Sequence, residues 1–409
     1  MKCRHCTQAL HLLFLDLGSA PPSNAYLTTT SVQAPEVWYP LRLLACQNCW
    51  LVQTEDHAGR DALFTNDYAY FSSFSSSWLA HAKNYVDAMQ LRFGLGTHSQ
   101  VVEVASNDGY LLQYVQAAGV PCYGIEPTAS TAAAAKAKGI DVVERFFGVE
   151  LAEQLARAGK RADLMVANNV LAHVPEINDF VAGFTHLLKP QGIATFEFPH
   201  LLRMVEGCQF DTAYHEHYSY LSLTTVQRIF AAKGFQVFDV QALPTHGGSL
   251  RVFAQRNDTG SQPVDRAVQL MLLAETAAGM QSADFYSKFD LQSKRIVREL
   301  LLFLINAAER GDRVAAYGAA AKGNTLLNFA GVRPHLLPYV VDKNPAKQGQ
   351  YLPGSRIPVV DEAHLRMRRP SHVLILPWNL KDEVMAQLGY VREWGGQFVV
   401  AVPRLTIHP

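Results

Sequence analysis

The chain has 409 residues, of which 49% are hydrophobic and 18% charged, and its formal net charge is zero. This composition is typical of a globular protein of two or three domains, and the charge balance argues against a nucleic-acid partner held by bulk electrostatics. No segment reaches the ~20 consecutive apolar residues of a membrane span, and residues 1–6 lack an apolar signal region. We therefore expect a cytoplasmic protein without a membrane partner. These features leave the oligomeric state open, and a monomer is compatible with them.

Four of the six cysteines stand in two C-x-x-C pairs near the N-terminus. They are Cys3, Cys6, Cys46 and Cys49. Each pair can present two thiolates to one tetrahedral ion, so the two pairs predict one structural Zn²⁺ per chain, with no position open to water. Cys122 and Cys208 stand alone, and simple burial accounts for them.

Beyond about residue 66, short β-rich runs alternate with helical runs, which indicates a mostly parallel α/β sheet. Strands are predicted at residues 101–104, 122–125, 164–167, 193–198 and 236–240. Helices are predicted between them, for example over residues 131–138.

A nucleotide-type site is predicted where the first two of these strands end. Residues 103–109 read E-V-A-S-N-D-G, and Gly109 permits a tight turn there. Glu126 follows Glu103 by about 20 residues, the interval at which an acid binds ribose hydroxyls. Ala105 and Asn107 replace the glycines that a dinucleotide needs, so the loop disfavours NAD and tolerates S-adenosylmethionine, which has no phosphate. An ordinary βα turn is the alternative.

The asparagines that follow the strand at residues 164–167 join this site, because strand ends at the carboxyl edge of an α/β sheet bind ligands. The candidate cofactor-binding residues are Glu103, Asn107, Gly109, Glu126, Asn168 and Asn169.

The densest group of polar side chains is the run Y-H-E-H-Y at residues 214–218, between F-P-H at 198–200 and H-G-G-S at 246–249. His215 and His217 flank a glutamate but lack the i, i+4 spacing of a helical zinc motif. Imidazole and phenol groups together suit proton abstraction beside a carbonyl, with the imidazole as base and the phenol as donor to the enolate oxygen. The spacing alone does not choose between the two histidines.

Residues 263–309 are predicted to form long helices, and a second α/β block follows. Its strands are predicted at residues 314–317, 337–341, 373–376 and 398–402. The run Y-G-A-A-A-K-G-N-T at 317–325 leads from a strand through a glycine turn into a helix. Lys322 and Asn324 would there form a cradle for a phosphate, with a purely structural turn as the alternative.

These motifs, in this order, resemble the sugar C-methyltransferases, which act on TDP-linked keto-deoxysugars, such as the C-3′-methyltransferases of tetronitrose and kijanose biosynthesis. The resemblance covers essentially the whole chain, from the cysteine pairs through E-V-A-S-N-D-G-Y-L-L, G-I-E-P-T and Y-H-E-H-Y-S-Y-L-S to H-G-G-S-L-R-V-F. It implies an α/β protein with three parts. They are a zinc-binding domain at residues 1–65, a class I (Rossmann-like) methyltransferase core at 66–255, and a second Rossmann-like α/β domain at 256–409 that holds the nucleotide-sugar.

The resemblance also implies a reaction and its residues. The enzyme would transfer a methyl group from S-adenosylmethionine to C3 of a nucleotide-linked 4-keto-deoxysugar, through a base-generated enolate. Glu126 would bind the cofactor ribose, and His217 would be the base. The other residues implied around the sugar are Tyr214, Glu216 and His173, with one of Tyr68 and Tyr70, and His246 joins Lys322 and Asn324 as a substrate-binding candidate.

Two other functions fit individual motifs. One is an NAD-dependent nucleotide-sugar dehydrogenase or epimerase that uses the C-terminal glycine turn. The other is a non-catalytic zinc-ribbon adaptor with a degenerate methyltransferase core. The sequence identifies neither the nucleotide nor the sugar, nor the group at C3, nor the stereochemical outcome.

Overall fold

The computed structural model describes residues 1–57 and 71–409, so Tyr68 and Tyr70 lie outside the described residues. The strands are β1 (Leu12–Ala20), β2 (Tyr39–Ala45), β3 (Val52–Thr54), β4 (Val101–Val104), β5 (Cys122–Ile125), β6 (Val142–Val143), β7 (Ala162–Asn168), β8 (Leu188–Pro199), β9 (Ser219–Tyr220), β10 (Phe235–Leu243), β11 (Ser249–Arg256), β12 (Val314–Tyr317), β13 (Val340–Val341), β14 (Val359–Val360), β15 (His372–Ile375), β16 (Gln397–Val400) and β17 (Thr406–His408).

The α-helices connect these strands and, after β11, link the last two sheets. They are α1 (Ser76–Phe93), α2 (Leu112–Ala117), α3 (Ala129–Ala137), α4 (Val149–Arg157), α5 (Ile177–Leu187), α6 (Leu201–Glu206), α7 (Leu223–Ala231), α8 (Arg266–Ala277), α9 (Ala283–Ser287), α10 (Phe289–Glu309), α11 (Ala321–Ala330), α12 (Glu362–Arg368) and α13 (Lys381–Gln387).

The N-terminal sheet is antiparallel and has the order β1-β2-β3-β9. Its fourth strand comes from far along the chain, because β9 belongs to the Y-H-E-H-Y-S-Y run, where Tyr220 pairs with Val52. The sheet therefore carries part of the predicted reaction centre on its edge.

The central sheet has the order β10-β11-β8-β7-β4-β5-β6. The neighbouring strands β8, β7, β4, β5 and β6 are parallel to one another. Strand β11 is antiparallel to both β8 and β10. All four residues of β4 are buried, as expected for a strand covered by helices on both faces. The predicted strands at 101–104 and 122–125 are confirmed residue for residue, and those at 164–167, 193–198 and 236–240 are confirmed but longer.

The C-terminal sheet has the order β14-β13-β12-β15-β16-β17, parallel except for β17. In both larger sheets the chain reverses its direction of winding beside the first strand of the block, at β4 and at β12. Such a switch point opens a crevice outside the carboxyl ends of the strands, where α/β sheets bind ligands.

The helical prediction over residues 263–309 resolves into α8, α9 and α10. The strand prediction at 337–341 was too long, because only Val340 and Val341 pair in the sheet. Pro338 has no N–H to donate to a neighbouring strand, which accounts for the shorter strand.

The N-terminal and C-terminal parts share one buried apolar cluster. Phe14 and Leu43 of the first sheet belong to the same cluster as Leu300 of α10 and Val340 of the last sheet, and the Phe14 ring stacks on Phe289 at 4.5 Å. Because this cluster is continuous, it packs the N-terminal sheet against the C-terminal sheet. Within the described ranges, none of the helices combines the length and the apolar character that crossing a membrane requires.

Candidate active site

The four N-terminal cysteines converge on one point. Their Sγ atoms all lie within 4.8 Å of one another, and the pairs Cys3–Cys49 and Cys6–Cys46 are each separated by 3.5 Å. A tetrahedral zinc ion with Zn–S bonds of about 2.3 Å requires sulfur atoms about 3.8 Å apart. The donor set therefore fits a closed, structural zinc site.

A cofactor-type site lies at the carboxyl ends of β4 and β5. Glu126 is 5% exposed, and its carboxylate accepts hydrogen bonds of 2.9 Å from the backbone N–H groups of Asn107 and Thr128. Asn107 and Gly109 both adopt left-handed backbone conformations, with φ of 49° and 75°. A side chain at Gly109 would collide with Ile140, so packing as well as the turn requires glycine.

Buried acidic and amide groups surround this loop. Both carboxylate oxygens of Glu103, Oδ1 of Asp108 and Oδ1 of Asn168 have no well-formed hydrogen bond within the described residues. Burial raises the pKa of Glu103 well above its usual range. Polar atoms left in this state at a sheet edge favour a bound ligand, and a ligand with positive charge would favour the ionised form of these buried acids. S-adenosylmethionine, with its ammonium and sulfonium groups, fits this environment better than a pyrophosphate does.

A second group of side chains is centred on His217. Its Nδ1 lies 2.9 Å from the carbonyl oxygen of Thr212, and its Nε2 lies 2.7 Å from the hydroxyl of Tyr214. The neutral tautomer that satisfies both contacts carries its proton on Nδ1, so Nε2 is the acceptor. Burial lowers the pKa of His217 well below 6.5, and nearby His173 lowers it further. His217 is therefore neutral at pH 7.

His173 and Glu216 flank this pair. The rings of His173 and His217 are 4.6 Å apart, and Nδ1 of His173 donates to the carbonyl of Glu216 at 2.9 Å. Burial lowers the pKa of His173 to about 4. The carboxylate of Glu216 accepts hydrogen bonds from Nδ2 of Asn24 at 2.7 and 2.9 Å.

Asn24 is a site residue that the sequence analysis missed. It lies in the P-P-S-N loop of the N-terminal domain, about 190 residues before Glu216. Nothing local marks it, because only the packing of the N-terminal sheet against the core brings the two side chains together.

His215 points away from this group. Its Nε2 lies 3.3 Å from the carbonyl oxygens of Tyr39 and Pro40 on β2. The run folds as a turn, in which the N–H of His217 donates to the carbonyl of Tyr214 at 2.9 Å. The two histidines therefore diverge, and His215 faces the N-terminal sheet.

The three predicted substrate-binding residues take different positions. Lys322 donates to Oδ1 of Asn379 at 2.9 Å. His246 adopts φ of 54°, with its ring centroid 5.3 Å from that of Trp78, and burial lowers its pKa to about 4. Asn324 is 1% exposed, and its Nδ2 donates to the carbonyl of Ser23 at 2.6 Å.

Helix α11 thereby holds two loops of the site at once. Asn324 binds the carbonyl of Ser23, next to Asn24, and the hydroxyl of Thr325 donates to the carbonyl of Ala213 at 2.8 Å, next to Tyr214. The first turn of this helix thus contacts both the N-terminal domain and the core.

A cleft of about 310 Å³ opens beside the loop that carries Asn24. Its walls combine Asn24 and Tyr26 with Phe74 and, from the C-terminal domain, Asp342 and Lys347. Asp342 directly follows β13. Its carboxylate accepts hydrogen bonds from the backbone N–H groups of Ala319 and Asn344, both at 2.8 Å.

Asp342 repeats the arrangement of Glu126 on a second sheet. Each acid ends the strand after a glycine turn, and each binds a backbone N–H of that turn. The sequence carried this signal, since Asp342 follows Gly318 by about the interval expected for a ribose-binding acid.

Three family models match the chain in succession. A zinc binding domain matches residues 3–64, a methyltransferase domain matches 78–240, and a C-methyltransferase C-terminal domain matches 244–403. The chain is also 32% identical over 402 residues to the C-methyltransferase NovU of Streptomyces niveus, covering 98% of this chain and 95% of that protein. The chain belongs to the C-methyltransferase family. It is thus an S-adenosylmethionine-dependent enzyme with a zinc-binding domain and a class I core, and neither the NAD-dependent enzyme nor the adaptor is supported.

Several solved methyltransferase structures match part of this chain at low sequence identity and low TM-score. Magnesium protoporphyrin IX methyltransferase of Synechocystis PCC 6803, with bound S-adenosylhomocysteine, is 16% identical with a TM-score of 0.36, covering 44% of this chain and 83% of that one. The 1,6-didemethyltoxoflavin-N1-methyltransferase of Burkholderia thailandensis is 16% identical with a TM-score of 0.37, covering 52% of this chain and 97% of that one.

Replacing Glu126 by alanine should weaken S-adenosylmethionine binding by roughly 10- to 100-fold, because hydrogen bonds to a charged group are worth about 1.5–3 kcal/mol. The variant would lose the proposed ribose contact and the support of Asn107 and Thr128. Calorimetry with S-adenosylmethionine measures the effect. Glu150→Ala, at an exposed position on α4, is the matched control, and an unchanged dissociation constant for Glu126→Ala would refute the assignment.

Proposed function

We propose that the enzyme methylates C3 of a nucleotide-linked 4-keto-deoxysugar, with His217 as the base that forms the enolate. The observation that carries this proposal is the buried, neutral imidazole of His217, whose Nε2 meets the hydroxyl of Tyr214 at 2.7 Å. A carbon that carries hydrogen is a poor nucleophile, so C-methylation of this type requires a base. A neutral imidazole is a suitable acceptor.

The 4-keto group acidifies the proton on C3. His217 accepts that proton on Nε2, and the electron pair of the C–H bond moves into the C3–C4 bond as the carbonyl electrons shift to oxygen. Tyr214 would donate a hydrogen bond to this enolate oxygen, which is where donors help most. The neutral ring of His173 uses its one N–H on the carbonyl of Glu216, so it presents an acceptor there instead of a donor. When bound, S-adenosylmethionine supplies an electrophilic methyl group to the resulting carbon nucleophile.

Access to Nε2 determines the order of events. Because the Tyr214 hydroxyl occupies Nε2 in this structure, the substrate must displace it, which would leave the phenol beside the keto oxygen. Asn24 holds both oxygens of Glu216, so this carboxylate has a fixed orientation toward the sugar site.

The charges of the crevice support an anionic substrate on the side opposite the cofactor. Glu103, Asp108 and Glu126 lie on or after β4 and β5, on the cofactor side. Lys322 and Lys347 belong to the C-terminal domain, where Lys347 lies 4.0 Å from Asp342. We propose that Lys322 contacts the diphosphate and that Asp342 binds the nucleoside ribose. Asn324 remains a predicted phosphate contact, but its bond to Ser23 favours a supporting role.

The domain boundaries stay as predicted, at 1–65, 66–255 and 256–409. The end of β11 at Arg256 supports the second boundary, because this strand completes the central sheet. We place the reaction in the cytoplasm.

A panel of sugar nucleotides tests the proposed substrate class. Incubation with S-adenosylmethionine should add the mass of one methyl group to a 4-keto-deoxysugar nucleotide, and NMR should place it on C3. The matching 4-hydroxy sugar nucleotides are the controls, because without the keto group the C3 proton is not acidic. A methyl group found on oxygen or nitrogen would contradict the enolate mechanism.

A further inference from the structure

Trp378 of the C-terminal domain connects Lys322 to two loops of the methyltransferase core. Its indole Nε1 donates a hydrogen bond of 2.8 Å to Oδ2 of Asp211. Its ring packs so closely on Gly247 that an added Cβ would collide with it. The ring centroid lies 4.6 Å from Nζ of Lys322. Asp211 and Gly247 belong to the loops that also carry Thr212 and His246.

The contacts of Lys322 restrain its ammonium group without neutralising it. Asn379, the residue after Trp378, accepts its hydrogen bond at 2.9 Å, and the indole face adds a cation–π contact. Asp211 is fully buried, yet no direct ion pair forms between these two described side chains, and the indole contacts both of them. The positive charge is therefore left available for an anion.

We propose that Trp378, anchored by Asp211, is a positioning residue that aims Lys322 at the diphosphate of the substrate. This inference rests on the proposed contact between Lys322 and the phosphates. It assigns Asp211 the role of fixing the indole, which in turn fixes the direction of the lysine side chain. The charge of the same carboxylate also acts on the lysine electrostatically.

The second role of Asp211 has a signature in pH dependence. Burial lowers the pKa of Lys322 to about 8, and the charge of Asp211 opposes this shift. Burial raises the pKa of Asp211 itself to about 6. The other titratable groups that interact with Lys322 or Asp211 are His217, His246 and Cys208. Without the Asp211 charge, the pKa of Lys322 should fall. As the pH is raised, the loss of anion binding should therefore begin at a lower pH than in the wild type.

Thymidine diphosphate is the probe, with its dissociation constant measured by calorimetry between about pH 6.5 and 9.5. Trp378→Phe keeps an aromatic face but removes the indole N–H, and should weaken binding about tenfold while S-adenosylmethionine affinity stays within about twofold. In a Lys322→Ala background the same change should have little further effect, because the two residues act as one unit. Trp394→Phe is the matched control, since its Nε1 binds the carbonyl of Pro370 away from the site.

The outcomes separate this inference from the proposed function. If the wild type does not bind thymidine diphosphate, or Lys322→Ala binds it normally, the phosphate contact is wrong and both proposals fail. If Lys322→Ala weakens binding but Trp378→Phe does not, or the two effects add in full, only the positioning role is wrong. If Trp378→Phe also loses S-adenosylmethionine binding, the Asp211→Asn variant provides the test. If thymidine diphosphate binding to Asp211→Asn is lost at the same alkaline pH as in the wild type, the inference is overturned.

Discussion

Replacing His217 by asparagine should abolish exchange of the substrate C3 proton with solvent deuterium while leaving S-adenosylmethionine binding intact. Asparagine can keep a polar group near the position of Nδ1, but it has no group at the position of Nε2 that accepts a proton near neutral pH. The measurement is deuterium incorporation at C3 of a 4-keto-sugar nucleotide, by mass spectrometry, with S-adenosylhomocysteine bound so that no methyl transfer occurs. We expect a loss of at least about 100-fold, the usual contribution of a general base.

Matched variants assign the role among neighbouring groups. His215→Asn should exchange normally, because His215 faces Tyr39 and Pro40. Tyr214→Phe should retain exchange at a reduced rate if the phenol only donates to the enolate oxygen. Exchange that persists in His217→Asn and disappears in His173→Asn would transfer the role to His173.

The pH dependence of exchange has a definite sign. A base works in its deprotonated form, and burial holds the pKa of His217 well below 6.5. Exchange should therefore be independent of pH through neutrality and fall only in more acidic solution, as the imidazole becomes protonated.

Replacing Cys46 by serine should remove the zinc ion, unfold the N-terminal sheet and reduce methyl transfer by more than about 100-fold. Structural zinc binding is worth about 10–16 kcal/mol at neutral pH, so loss of one ligand removes much of this domain's stability. Elemental analysis, circular dichroism on heating and methyl-transfer rates measure the three effects. Cys122→Ser, at an unpaired cysteine that begins β5 of the central sheet, should keep both metal and activity.

The structure extends this effect to the chemistry. Thr54 of β3 binds the carbonyls of His217 and Tyr218 at 3.1 and 3.2 Å, and Asn24 holds Glu216. Unfolding of the sheet would therefore release the Y-H-E-H-Y run, while the cofactor site on β4 and β5 should keep its affinity. A metal-free variant with full activity would contradict this dependence.

Elements defined by local pattern could be predicted from the sequence. Strand β4 follows from a valine-rich run before a glycine turn, β5 follows from a short run that ends at an acid, and the four cysteines follow from their spacing. Strand β9 could not be predicted in this way, because its residues Ser219 and Tyr220 pair with Gln53 and Val52, which lie far away in the sequence. Strand β11 was also missed, although S-L-R-V alternates polar and apolar residues. Both polar residues, Ser249 and Arg251, are buried in the structure, which an alternating pattern does not indicate.

The candidate site divides in the same way. The resemblance and the residue types indicated His217 as the base, but spacing alone made His215 an equal candidate. Only the turn at residues 214–217 distinguishes them, because it points the two side chains in different directions. Asn24 and Trp378 are in the site because distant segments pack together. No pattern near either residue in the sequence reports such a contact.

The bonds from α11 to Ser23 and Ala213 bear on how new enzymes of this family could be assembled from parts. A chimaera cut at residue 255 would pair one protein's Asn324 and Thr325 with another protein's loops, and a poor fit there would displace Asn24 and Tyr214 together. To change the nucleotide preference in such a chimaera, the P-P-S-N loop and residues 210–214 should therefore be exchanged together with the C-terminal domain. The part that has to be exchanged as a whole is therefore a discontinuous set of segments, with members in all three domains.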